Sequence, residues 1–321
     1  MKITNNHGIS LPLAVWLLYD QYDYIDLPNY ISATTLLRST KQIILSKRVE
    51  ASDMEMDISE KIAASFGTAV HDSIEKAWAQ RAGFLMQKLG YPKDLCERIV
   101  VNPKEGELQE NSIPIYFEKR GVKEINGWNV GGKFDTVMDG RLFDYKTTST
   151  YTYTAGNKDE DYQLQGSIYR WLNPELITDD FIYINFVFTD WQKYMVREGT
   201  NYPKLKLLEH PVPLLSLEKT EEFIIHKTNE ISRLKDKPES ELPPCTDKEL
   251  WRSEAQYKYY SDPTKTDGKS SKNFDTLSEA NAHCAEKGKG IVKTVPGEVK
   301  ACLYCAAFQV CQQRKLYFAE P

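Results

Sequence analysis

Excess positive charge is missing from this chain: 41 Lys and Arg stand against 46 Asp and Glu, for a net charge of -5. That excludes a protein that coats nucleic acid by bulk charge. It leaves open an enzyme acting on nucleic acid, because there only the local field of a groove matters. Long apolar runs are also lacking, so the sequence offers no membrane span. The opening residues, through His7, hold no apolar stretch of the signal-peptide kind, and a cytosolic protein is expected. Internal repeats and low-complexity tracts are absent from the sequence as well. Cysteine is scarce until the last quarter, with Cys96 alone in the first half and Cys245, Cys284, Cys302, Cys305 and Cys311 behind it. A reducing compartment forms no disulfide framework, so thiols gathered in this way suggest a metal or iron–sulfur centre. What is present in quantity is apolar material: 41% of 321 residues, enough for a sizeable core.

The patterning is mixed. Residues 32–48 read as a helix with Ser32 as its cap, and 58–80 as a helix with one buried stripe through Phe66, Val70, Ile74 and Trp78. Strand-like runs follow at Ile113–Glu118, Trp128–Met138, Arg141–Thr147 and Phe181–Thr189, with helices at Tyr162–Leu172 and 217–235. This order gives an α/β or α+β core. Beyond Pro243-Pro244 the composition shifts to a Lys- and Ser-rich stretch around 262–272 and then the cysteines. The expected division is therefore a main domain over 1–240 and an extension over 241–321 packed on it. No acid occurs between Leu27 and Val49, while Arg38 and Lys41 do, so this stretch offers a basic face to a nucleic-acid backbone or simply to solvent.

Asp139-Gly140 between two strand-like runs is a two-residue hairpin signal. With that turn, Val137 faces Leu142, Thr136 faces Phe143 and Asp135 faces Asp144. Alternation then places Asp135, Asp144 and Lys146 on one face. Two carboxylates paired across strands have Cβ atoms about 5 Å apart and repel one another. A divalent cation is their natural occupant, and Lys146 is placed to stabilise charge developing on a phosphate. An isolated Asp-x-Lys on a strand is usually a solvated edge; the opposed Asp135 is what sets this one apart. His71, after the small residues Gly67, Thr68 and Ala69, is a further candidate ligand. Glu118, closing its strand, is a further acid, weaker as evidence because an exposed strand-end Glu needs no explanation.

Taken in chain order, these residues resemble the PD-(D/E)XK nuclease superfamily, in its RecB-like exonuclease branch. Gly67-Thr68-Ala69-Val70-His71 looks like the histidine motif of that branch, Gly132-Lys133-Phe134-Asp135 like its Gly-x-x-Asp motif, and Asp144-Tyr145-Lys146 like its acid-x-Lys motif. Gln165-Gly166-Ser167-Ile168-Tyr169 matches the Gln-x3-Tyr helix motif that follows. The resemblance implies a restriction-endonuclease-like core, a central mixed sheet flanked by helices. It implies Mg2+ or Mn2+ held by His71, Asp135, Asp144 and the Tyr145 carbonyl, with Lys146 catalytic and Gln165 and Tyr169 beside the DNA. The expected activity is exonucleolytic hydrolysis of DNA from free ends, in phage recombination or replication within the host cytoplasm. A structure-specific endonuclease and a DNA-binding subunit with a vestigial site are the alternatives.

Cys302-x2-Cys305-x5-Cys311 resembles the C-terminal triplet of CRISPR-associated RecB-like exonucleases and AddB-type helicase–nucleases, which carry a four-iron cluster. Those relatives draw a fourth cysteine from an N-terminal helix, and the comparable stretch here, 32–41, has none. Cys245, after two prolines in an element resembling phage-encoded exonucleases, is the expected replacement, in preference to Cys284 in an ordinary helical context. The centre implied is a 4Fe-4S cluster, with Zn2+ as the alternative.

Overall fold

A computed structural model describes residues 2–19, 25–50 and 55–318. The chain divides into two compact units. One is built from Met1–Leu37 and Glu50–Ser232, the other from Arg38–Val49 and Arg233–Pro321.

The first unit is of α/β class. Its main sheet has six strands in the order Leu207–Pro213, Phe181–Phe188, Arg141–Thr148, Thr136–Met138, Ile113–Phe117, Ile99–Val101. The Phe181–Phe188 and Arg141–Thr148 strands are parallel, and the intervening crossover carries the Asp159–Leu172 helix. Parallel neighbours need such a crossover, whereas the tight Asp139-Gly140 turn joins the antiparallel pair before it. Asp139 and Gly140 both have positive φ, at 51° and 75°, as a type I′ turn requires. The register is the expected one: Thr136 opposes Phe143, Val137 opposes Leu142 and Met138 opposes Arg141. The core lies under this sheet, where Phe134, Leu142, Ile182, Ile184, Phe186 and Phe188 are fully buried.

Three expectations change. The run 128–138 is two strands. Trp128–Lys133 pairs with Arg120–Ile125 and Tyr30–Ser32 in a separate three-stranded sheet, while Thr136–Met138 joins the main sheet. The break falls at Phe134 and Asp135, where Phe134 N donates to Lys119 O and Glu118 N donates to Asp135 O. The helix expected over 32–48 is also two. Ser32 caps Ala33–Leu36, and Ser39 starts Thr40–Ser46 by accepting from Gln42 N, so a second cap interrupts the first helix. Finally, the helix expected at 58–80 opens as a 3₁₀ turn with an Asp57–Glu60 capping box and runs on as Ile62–Lys88. Its stripe is half-buried at most: Val70, Ile74 and Trp78 are partly covered, whereas Ile62 and Phe66 are about half exposed.

In the second unit, Gln256–Tyr260 is the centre of a three-stranded antiparallel sheet, flanked by Lys272–Phe274 and Ile291–Val295. The Leu277–Lys287 helix covers one face of it, with the His283 ring edge-on to Tyr259 at 4.9 Å. Among the described residues, no helix is long and apolar enough to cross a membrane.

Candidate metal centre

Close packing of backbones brings the polar groups together. A Cβ on Gly67 would lie 3.2 Å from Thr147 Oγ1, so the long helix meets the Arg141–Thr148 strand where its side chains are smallest. One turn on, His71 Nε2 reaches the Tyr145 carbonyl at 3.0 Å. On the other side of the ring, Nδ1 lies 3.6 Å from Asp135 Oδ1 and 3.7 Å from Glu118 Oε1. Asp135 turns its second oxygen to the Tyr145 N–H, at 2.8 Å.

Asp144 is the most deeply set member, 1% exposed. Its Oδ1 accepts from Gln165 Nε2 at 3.1 Å. Its Oδ2 accepts no well-directed hydrogen bond and has Lys146 Nζ at 2.6 Å as its nearest cation. Gln165 also donates to Tyr169 Oη at 3.0 Å. The Tyr169 ring packs against Gly132, where a Cβ would come within 2.8 Å of it. The glycine of the Gly-x-x-Asp element therefore lets the Gln165–Tyr169 helix close on the strand behind the carboxylates.

The charges are tightly balanced. Burial and the negative charge of Asp144 push the Asp135 carboxyl up to about 7. Burial pulls the His71 imidazole down, but the Glu118 hydrogen bond, the Asp135 charge and the Tyr145 carbonyl outweigh it and raise it to about 9. Burial would likewise raise Glu118, yet His71 and Lys133, whose Nζ is 2.5 Å from Oε2, hold it below its ordinary range. Lys146 is held above its usual value because Asp144 and Asp135 overcome the cost of burial. The result is three carboxylates sharing the imidazolium and two ammonium groups.

The geometry thus gathers His71, Asp135, Asp144, the Tyr145 carbonyl, Lys146 and Gln165 in one place. It adds Glu118, which its strand-end position marks only as a weaker candidate. Glu118 holds φ at 50°, a left-handed conformation uncommon for a residue other than glycine, and this turns its carboxylate toward His71. His71, Glu118 and Asp135 are the group of ligand-type residues whose donor atoms all lie within 4.8 Å of one another among the described residues.

Two expectations fail on burial. Gln165 and Tyr169 are buried at 8% and 4% exposure, so they brace Asp144 and offer no open face to DNA. Lys41 is buried too, paired with Glu239 at 3.5 Å, because the Thr40–Ser46 helix turns it inward with Ile43, Ile44 and Leu45. Arg38 remains exposed, and the Arg48 guanidinium is spent on the carbonyls of Lys235 and Lys237. The acid-free stretch is not a continuous basic face.

In the second unit, Cys245, Cys302, Cys305 and Cys311 line one small cavity of about 30 Å³. Cys284 is elsewhere, directed at the Lys289 carbonyl. Burial, followed by the charges of Cys305, Cys311 and Cys245, pushes the Cys302 thiol up to about 11. Cys245 accepts or donates a contact with Ser39 Oγ at 3.2 Å, and Gln313 clasps its backbone from both sides, at 2.9 Å and 3.0 Å.

No family model matches this chain, and no curated protein matches it. A solved protein described as SSO0001 aligns with a TM-score of 0.43 at 16% identity, over 72% of this chain and 88% of that one.

Proposed function

We propose that the chain is a divalent-metal-dependent deoxyribonuclease of the PD-(D/E)XK type, an exonuclease of the RecB-like branch acting from DNA ends. The observation that carries this reading is the convergence of Glu118 and Asp135 on His71, beside Asp144 and its partner Lys146. The donor set suits Mg2+ or Mn2+: carboxylate oxygens and a carbonyl, with one imidazole. It also lacks something that a cation supplies. Asp144 Oδ2 is buried with Lys146 Nζ at 2.6 Å as its one close charged neighbour, and Asp135 is forced toward its neutral form. Protonated His71 and Lys146 stand in for the missing charge.

Asp135, Asp144, the Tyr145 carbonyl and His71 would hold the ion, with Glu118 adjoining. A bound divalent ion lowers the pKa of its water and polarises a phosphoryl oxygen. Lys146, kept protonated by its two acidic neighbours, stabilises negative charge growing on the attacked phosphate and is unsuited to act as a base. Gln165 fixes the Asp144 rotamer, and Tyr169 fixes Gln165. These two residues position the site and do not touch substrate.

The cysteine cavity belongs to the same reading as a 4Fe-4S site with Cys245 as fourth ligand. Tetrahedral zinc with ~2.3 Å bonds sets its thiolates roughly 3.8 Å apart, and no three of these thiols come within 4.8 Å of one another. A cluster spreads its thiolates more widely than a single ion does. The test of the nuclease reading is degradation of linear DNA with Mg2+ or Mn2+, stopped by EDTA. Asp144→Ala and Lys146→Ala should each abolish it in folded protein, and undiminished activity in both removes the site. A circular single strand in the same gel separates an exonuclease, which spares it, from an endonuclease.

A further inference from the structure

The Lys- and Ser-rich stretch has no part in the site above, yet it forms a defined surface. In the three-stranded sheet of the second unit, Lys258 on the central strand directly opposes Lys293 on one neighbour and Asn273 on the other. The opposite face of this sheet belongs to Tyr259 and Phe274, against the His283 ring of the covering helix. Lys258, Asn273 and Lys293 therefore stand abreast on the face away from that helix.

Like charges directly opposed across antiparallel strands are destabilising unless a counter-charge joins them. Among the described residues, neither Lys258 nor Lys293 forms an ion pair. Asp262 is engaged with Lys265 and Glu286 with Lys287, which leaves Asp267 as the acid of the neighbouring loop. Asp275 and Glu279 flank the Thr276 cap that starts the helix, where negative charge meets the helix dipole. The loop over 261–271 is tied to this face, because Lys293 Nζ donates to Thr266 Oγ1 and Ser270 Oγ donates to Asn273 Oδ1. That loop also carries exposed Lys269.

We propose that this sheet face binds the phosphate backbone of DNA, with Lys258 and Lys293 contacting neighbouring phosphates. The surface matches a polyanion by charge. The identity of that polyanion as DNA rests on the nuclease reading. Contacts of this kind hold the strand without reading its sequence, so the face adds affinity and salt dependence but no base preference.

The experiment measures binding of a fluorescein-labelled DNA oligonucleotide by the full chain in EDTA, by anisotropy between 50 and 200 mM KCl. Lys258→Ala/Lys293→Ala should weaken binding about tenfold at 100 mM salt. It should also lower the slope of log K against log salt by about 1.5 to 2, one phosphate contact per lysine. Lys258→Arg/Lys293→Arg should restore most of both. Lys287→Ala, on the covering helix and paired with Glu286, should change neither. An unchanged slope in the alanine pair, or an equal fall in the Lys287 variant, overturns the proposal. DNA hydrolysis with Mg2+ is scored separately. A chain that keeps the lysine-dependent slope but cleaves nothing removes the nuclease reading and leaves this face standing.

Discussion

Replacing Asp135 by Asn should make the metal-free protein more stable, which is unusual for a buried polar residue with a good hydrogen bond. Raising a carboxyl from its ordinary 3.8 to about 7 means that the folded state holds a proton the unfolded state releases. The stabilisation linked to that proton is complete below the unfolded value and is lost as pH rises through about 7. At pH 8 the folded protein carries the charge in full, at a cost of about 4 kcal/mol relative to an unperturbed carboxyl. Asn keeps an oxygen to accept from the Tyr145 N–H and carries no charge. The His71 imidazolium 3.6 Å away is already included in that figure; part of the gain is returned because the buried Asn amide carries its own desolvation cost. We expect a net gain of about 1–3 kcal/mol at pH 8 in EDTA, or roughly 3–10 °C in Tm for a unit of this size. At pH 5 the gap should fall by more than half. Mg2+ at pH 8 should stabilise the wild-type chain and barely move the variant. Scanning fluorimetry at the two pH values, with and without Mg2+, reads all four numbers. A variant less stable than wild type in EDTA at pH 8, or a gap that fails to widen with pH, would refute the like-charge pairing of Asp135 with Asp144.

Binding of the cation should displace protons from His71 and Asp135, so Mn2+ affinity should climb between pH 6 and 9, and calorimetry in two buffers should register proton release. His71→Ala should flatten that climb with little loss of fold; a variant that only unfolds, with normal specific activity, would make the ring structural. Cys245→Ser should strip the iron and expose the chain end to protease, while Cys284→Ser keeps both colour and resistance; the opposite pattern would reassign the fourth ligand. Protein that is colourless and contains zinc would replace the cluster with a single ion. Gly132→Ala puts a methyl into the Tyr169 ring and should cost about 1–3 kcal/mol, with kcat falling more than KM rises as Gln165 loosens its hold on Asp144.

The hairpin through Asp139-Gly140 was legible because two residues suited to positive φ sat between alternating runs; its register holds as far as Thr136 and Phe143, and Asp135 lies just beyond the strand, bonded to the Tyr145 N–H. The Asn126-Gly127 turn carries the same signal, with φ of 51° and 72°, and marks the Arg120–Ile125 strand that the run lengths did not suggest. Glu118 was legible only as a weaker candidate for a physical reason: its backbone is left-handed where it meets the site, and nothing in local patterning announces that at a glutamate. Gln165 and Tyr169 were recognised by spacing, but spacing cannot say whether a helix face meets solvent or a neighbouring strand. Lys41 misled in the same way, since a lysine among apolar residues can be turned inward when an acid distant in sequence, here Glu239, waits for it.

The crossed hydrogen bonds between Glu118 and Asp135 and between Phe134 and Lys119 seal the base of the Arg120–Lys133 hairpin. Glu118 and Asp135, the two acids beside His71, are thereby fastened to each other by their own main chain, independently of how far the chain travels between them. The tip at Asn126-Gly127 is exposed, and lengthening such a loop costs only about 0.6 kcal/mol per doubling. This makes the tip a grafting point: a peptide tag, a fluorophore or a whole binding module could be spliced in there while the carboxylates keep their spacing.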